Sequence, residues 1–329
     1  MIKVQDTGSS EADEKIEHKI SNNLKGINEQ SRNYIRDIVS LINKEIGINK
    51  ILSIILFGSQ QAGNDNTVVS DCDLLFIFKN RVSDHHIKEI ERYFIALEIK
   101  HNFKEPTSKL TTNVLGVIQH STGMFVSHFL TKQKYWEQAV FYKIFRVNKV
   151  FSAMFAPRNI VLSNVIQNST VLYGDDLRNN IKPKIKISVR EMFKSTVMNL
   201  FISFFALLIA PRNELNSIKY QLEAIKWSLR ASNYYCFEDS EMLNKIVERF
   251  ISFEKPKAQS KAKRFYFKFL ELRNQPFNNL KFMLQCPFRI LKIHTKAILF
   301  RQLTKREIAR TIFEIKGQNL SQRDFPIRY

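Results

Sequence analysis

The sequence predicts an α+β protein: a small mixed-sheet domain followed by a mostly α-helical one. Three observations predict it. Two continuous apolar runs, ILSIILF (51–57) and DLLFIF (73–78), flank a loop rich in Gly, Asn, Asp and Thr. Apolar residues recur at helical spacing before and after that pair. Beyond about Tyr135 the pattern turns helical, and Pro183, Pro211, Pro256, Pro276 and Pro287 punctuate it. At 329 residues the chain is long enough for two domains. Residues 1–28 read as a polar arm, 29–180 as the sheet domain and 181–329 as a basic helical domain.

The elements follow in order. From Asn28 to Ile46, the apolar residues Ile35, Ile38, Val39, Leu41, Ile42 and Ile46 mark one helix face, and Gly47 stops the helix. The run 51–57 is rich in β-branched and aromatic residues, as in a strand covered on both faces, and 73–78 is a second such strand. Asp84 to about Lys100 is an amphipathic helix capped by Ser83 or Asp84. TTNVLGVIQ (111–119) and GMFVSHFLT (123–131) read as two further strands around the turn HSTG. Later helices are expected over Glu137–Val147, Val189–Ala210, Ser217–Tyr235, Ser240–Ile251, Gln259–Leu272 and Pro287–Phe313, with VLYG (171–174) a late strand.

Composition narrows the function classes. Hydrophobic content of 44% and charged content of 25% fit a soluble globular chain. The net charge of +20 does not fit so simply. From Ile251 to Tyr329 eighteen Lys/Arg face five acids. Such an excess suits polyanions: RNA, DNA, nucleotides or an anionic membrane surface. A solvated charged surface is the plainer reading. The mixture KAKRFYFKFLELR (261–273) suits base stacking beside phosphate pairing, and equally an amphipathic helix with Phe265, Phe267, Phe269 and Leu270 against a core. Three widely spaced cysteines, Cys72, Cys236 and Cys286, form no CxxC pair, which predicts neither a disulfide framework nor a zinc site and suits a reducing, cytoplasmic setting. The N-terminal stretch carries no secretory h-region. The uncharged window Ser195–Pro211 falls short of the roughly 20 residues of a spanning helix, so a core helix and no membrane span are expected. No obligate protein partner is evident.

One stretch looks built for chemistry: FGSQQAGNDNTVVSDCDLLFIF, Phe57 to Phe78. Asp71 and Asp73 stand two apart at the start of a strand, so both point to one face and Cys72 to the other. Paired carboxylates repel each other, and a cation relieves this. Hard oxygen ligands suit Mg²⁺ or Mn²⁺, which bring substrate phosphates with them. Gly58 lets the backbone turn tightly and approach a ligand, and free N–H groups there with the Ser59 hydroxyl can hold phosphate oxygens. A phosphate clamp then faces a metal clamp, which can align a nucleoside triphosphate for attack at its α-phosphorus.

Phe57-Gly58-Ser59, eleven residues, then Asp71-Cys72-Asp73-Leu74 resembles the signature of the nucleotidyltransferase superfamily typified by DNA polymerase β. The resemblance covers about residues 30–135. It implies that Gly58 and Ser59 bind the triphosphate, that Asp71 and Asp73 hold the metals, and that a nucleotide passes from the triphosphate to a hydroxyl of an acceptor. VLYGDDL (171–177) also resembles a segment near the end of such domains, and AIKWSL (224–229) resembles the helical partners of small nucleotidyltransferases. There is one departure. Active members carry a third acidic residue on a nearby strand, whereas no Asp or Glu occurs between Pro106 and Trp136. GMFVSHFLT offers Ser127 and His128 instead. His128 is either a base or a satisfied semi-buried histidine, and Glu98 or Glu105 could reach the site from the preceding helix. The alternative reading is therefore a weak or inactive nucleotide-binding regulator of the same fold, with RNA among its partners.

Other motifs carry less. Tyr173-Gly174-Asp175-Asp176 spells a motif of RNA-dependent polymerases but reads here as a strand end before an acidic helix start. His85 and His86 are adjacent on a helix and point apart, so they do not share a metal.

Overall fold

The computed structural model describes residues 20, 23–24, 26–58, 72–103, 126–182, 185–212 and 215–321. It opens with α1 (Glu29–Glu45), whose N-cap Asn28 accepts from Ser31 N at 2.8 Å. Gly47, at φ +89°, ends it where other residues would be strained. β1 (Ile51–Phe57) and β2 (Asp73–Phe78) pair antiparallel, with Ile54 opposite Phe76 and Phe57 opposite Asp73. Between β2 and the next strand lies α2 (Asp84–Lys100), and its cap is Ser83, which accepts from His86 N at 3.1 Å. β3 (His128–Lys132) runs parallel to β2, with Leu74 opposite His128. β4 (Ser169–Gly174) pairs antiparallel on the other side of β1. The order is β3-β2-β1-β4, a mixed sheet. The candidate strand 111–119 lies outside the described residues.

Both sheet faces are covered, which is why β1 and β2 read as unbroken apolar runs rather than alternating ones. Ile54, Leu56, Leu74, Phe76 and Leu130 pack on α1 and α2. Ile55, Phe57, Leu75, Ile77 and Phe129 pack on Trp136, Phe141, Ile144 and Phe145. Ile20, Leu24 and Ile27, at the end of the sequence read as a polar arm, are buried in the first of these cores.

The helix expected over Glu137–Val147 is instead two short pieces, α3 (Gln133–Glu137) and α4 (Phe141–Ile144), with positive φ at Ala139 and Arg146. Two helices that periodicity did not indicate follow, α5 (Lys149–Phe155) and α6 (Arg158–Gln167). Asn148 starts α5 by accepting from Val150 N and Phe151 N, and Pro157 separates it from α6. After β4 comes α7 (Arg178–Ile181). The YGDD stretch is thus the end of β4. A Cβ on Gly174 would lie 1.9 Å from the Leu52 carbonyl oxygen, so glycine is required there. Asp176 pairs with Arg178, whose hydrogen bond holds the carboxyl below its ordinary range against the upward push of burial.

The helical part consists of α8 (Val189–Ile209), α9 (Leu215–Phe237), α10 (Leu243–Ser252), α11 (Pro256–Asn274) and α12 (Leu280–Ser321). One core runs through all five, from Met198 to Ile293. α8 covers the helix expected over Val189–Ala210, and by length and composition it could cross a membrane, but half of its most apolar window is buried inside the protein. α12 starts seven residues before Pro287, which was expected to open it. Proline lacks the N–H that would bond the carbonyl of Met283. Gln221 Nε2, from α9, donates to that oxygen at 2.8 Å, so the helix continues without an orphaned acceptor.

Candidate active site

β1 is an inner strand, hydrogen-bonded on both sides, and its last residue Phe57 pairs with Asp73, the first residue of β2. This register brings Gly58 and Asp73 together across fifteen residues of sequence. Gly58 has φ +82°, and a Cβ built on it would lie 2.1 Å from Asp73 Oδ2 and 3.0 Å from Asp73 Cγ. The carboxylate therefore lies directly against the Gly58 backbone, and no side chain fits between. Both halves of the motif meet, one member from each. Ser59 and Asp71 lie outside the described residues, as does Glu105.

Strand alternation separates the neighbouring polar groups. Cys72 is buried with Leu74 in the core under α1 and α2. Asp73 pairs with Phe57, which packs in the opposite core. His128 is level with Leu74 and so takes the α1/α2 side. There its Nδ1 meets Glu98 Oε1 at 2.6 Å, with side-chain exposures of 5% and 7%, and its ring edge meets Phe94. Thus His128 and Asp73 start neighbouring strands but face opposite ways, and Glu98 reaches the imidazole. The residue level with Asp73 is Ser127, whose carbonyl accepts from Leu74 N at 2.8 Å. It precedes Phe129 by two and shares that residue's side of the sheet.

Tyr34, buried on α1, has its hydroxyl pushed far up by burial, with Glu98 and Asp73 adding to the push. Among the described residues no group of three or more His, Cys, Asp or Glu is assembled for a metal. The donor type is nonetheless right for a hard cation: a carboxylate beside a backbone that any Cβ would fill.

The Glu98–His128 pair escaped the sequence as a pair. The two stand thirty positions apart with no periodic link, and only the parallel pairing of β3 with β2 brings α2 over His128.

No protein-family profile matches the chain, and no curated protein matches its sequence. Among solved structures, it is similar to a spectinomycin adenyltransferase, AAD(9), from Enterococcus faecialis, determined with ATP and spectinomycin. The identity is 10%, over 80% of this chain and 98% of that one, with a TM-score of 0.47.

Proposed function

We propose that this protein is a nucleotidyltransferase that moves a nucleoside monophosphate from a nucleoside triphosphate to an acceptor hydroxyl. The observation that carries the reading is the contact of Gly58 with Asp73 at the paired ends of β1 and β2. A glycine held at positive φ against a carboxylate leaves room for phosphate on one side and a carboxylate for a cation on the other. In this reading Gly58 and Ser59 hold the triphosphate, and Asp73 with Asp71 holds Mg²⁺ or Mn²⁺. The cation would neutralise the triphosphate and stabilise the entering and leaving oxygens. The acceptor oxygen bonds to the α-phosphorus, the α–β anhydride bond breaks, pyrophosphate leaves, and the hydroxyl proton passes to a base or to water. The basic helical domain offers the acceptor a surface, with RNA ends the acceptor its charge suits best.

A second reading rests on Ser127. The position level with Asp73 carries a hydroxyl rather than a carboxylate, and His128 turns to the other face. A protein so built binds nucleotide and turns it over weakly or not at all.

Purified protein incubated with α-labelled triphosphates, Mg²⁺ or Mn²⁺ and cellular RNA, beside Asp73→Asn, separates the two. Label moved onto RNA or protein only by the wild type supports transfer. Metal-dependent triphosphate binding without any transfer supports the second reading. Transfer that survives Asp73→Asn removes this site from the chemistry.

A further inference from the structure

The helical domain carries an apolar surface that the site above does not use. α8 is apolar nearly all round. Ile202, Phe205 and Ile209 enter the core, while Phe193, Phe201, Phe204 and Leu208 face outward, Leu208 at 79% exposure. Intervals of three, four and eight residues set these four on one side of the helix. α12 repeats the arrangement: Met283, Ile290 and Ile293 are buried, whereas Leu284 and Phe288 are outward, Phe288 at 74% exposure. The two helices lie antiparallel. Asn278 Nδ2, just before α12, reaches Ala210 O at the end of α8, and farther along Asn199 Nδ2 faces His294 Nε2. On α12, His294 marks the flank toward α8, and Arg289, Lys292 and Lys296 mark the other flank, where Glu254 pairs with them. Leu284 and Phe288 project between these flanks, beside the outward residues of α8. A contiguous apolar patch beyond a few hundred Å² marks an interaction surface in a soluble protein.

Charge decides what covers it. Lys281 is exposed beside Leu284, and Arg190 is exposed near Phe193. At the patch's flank Arg289, Lys292 and Lys296 share one carboxylate, Glu254, which leaves that flank net positive. A second copy of the chain would bring these cations no acidic counterpart from the same face. Nucleic acid would meet the charges but leave the phenylalanines in water. A bilayer surface of anionic phospholipid meets both, with headgroups against Lys and Arg and acyl chains around Phe and Leu. From this we infer that the α8–α12 face docks the protein peripherally on an anionic lipid surface. It does not span, because the other half of α8 is committed to the core. The inference is independent of nucleotidyl transfer.

Vesicle co-sedimentation of the full chain tests it, with phosphatidylcholine alone and with added phosphatidylglycerol. The wild type is expected to pellet with the anionic vesicles and not with the neutral ones. Phe204→Ser with Phe288→Ser, both at exposed positions, is expected to weaken that binding at least roughly tenfold with unchanged thermal unfolding. Three results would overturn the inference: no binding to anionic vesicles, equal binding by the double variant, or a wild-type dimer in ultracentrifugation that the double variant converts to monomer.

Discussion

At Gly58 there is no room for even a single methyl group. Alanine there would be held at φ +82° with its Cβ 2.1 Å from Asp73 Oδ2. Gly58→Ala is expected to cost about 1–3 kcal/mol of stability in thermal unfolding. It should also weaken triphosphate binding at least roughly tenfold, the loss expected from a misplaced charge contact; unchanged affinity in titration calorimetry would disconnect Gly58 from the ligand. The Glu98–His128 pair has a different signature. Both groups are buried, and they lie on the side of the sheet away from Asp73. His128→Asn should therefore lower stability by about 1–3 kcal/mol and leave the pH profile of transfer intact. A lost limb in that profile would make His128 the base after all. The contrast marks what the residue string reveals. Gly58 and Asp73 declare themselves because their spacing is a local pattern. The partner of His128 does not, since only strand order fixes which helix covers it.

Among the elements, α1 and α2 were readable because one buried face imprints a period on the sequence, and β1 and β2 because burial on both faces leaves a short unbroken apolar run. α6 was not, for Ile160, Leu162, Val165 and Ile166 are buried around it and leave no polar face to count from. α5 hides for the opposite reason: Val150, Phe151 and Met154 are exposed, so apolar residues there do not mark an inward side. Pro287 misled because its compensation comes from another helix. Gln221→Met, which keeps the volume but removes the amide, should cost about 1–3 kcal/mol by orphaning the Met283 carbonyl. In a Pro287→Ala background that carbonyl recovers its own helix N–H, and the cost should shrink by about 1 kcal/mol. Equal costs in both backgrounds, measured by urea unfolding, would show that the amide acts elsewhere.

On the scale of the whole molecule, the sheet cores draw on residues up to Ile181 and the large helical core on Met198 to Ile293. Contacts such as Asn159 N donating to Glu191 Oε2 at 2.9 Å join the two parts. The helical part should be the acid-labile one. Burial holds the His294 imidazole down to about 3, with Nδ1 against Ser232 Oγ at 3.1 Å. Its folded value lies below the unfolded one of about 6.5, so the unfolded chain takes the proton first. Its contribution is present above about pH 6.5 and is lost as pH falls toward 3, by up to about 1.4 kcal/mol per unit. Glu254 adds to the slope at lower pH. Burial pushes its carboxyl up, but hydrogen bonds from Lys292 and Lys296 bring it below its ordinary value. Thermal unfolding between pH 7 and 4 should show a falling midpoint, and His294→Gln should flatten the upper part of that fall. A curve unchanged by the substitution would place the acid lability in the sheet.

The register that sets Phe57 opposite Asp73 has a consequence for how such a protein diverges. β1 is anchored on both edges, so the meeting point of Gly58 and Asp73 is fixed by the ladder and not by residues 60–70. Length and chemistry can change in that interval without displacing the two anchors. Descendants of one ancestral chain could therefore vary in that interval while inheriting the same contact of Gly58 with Asp73.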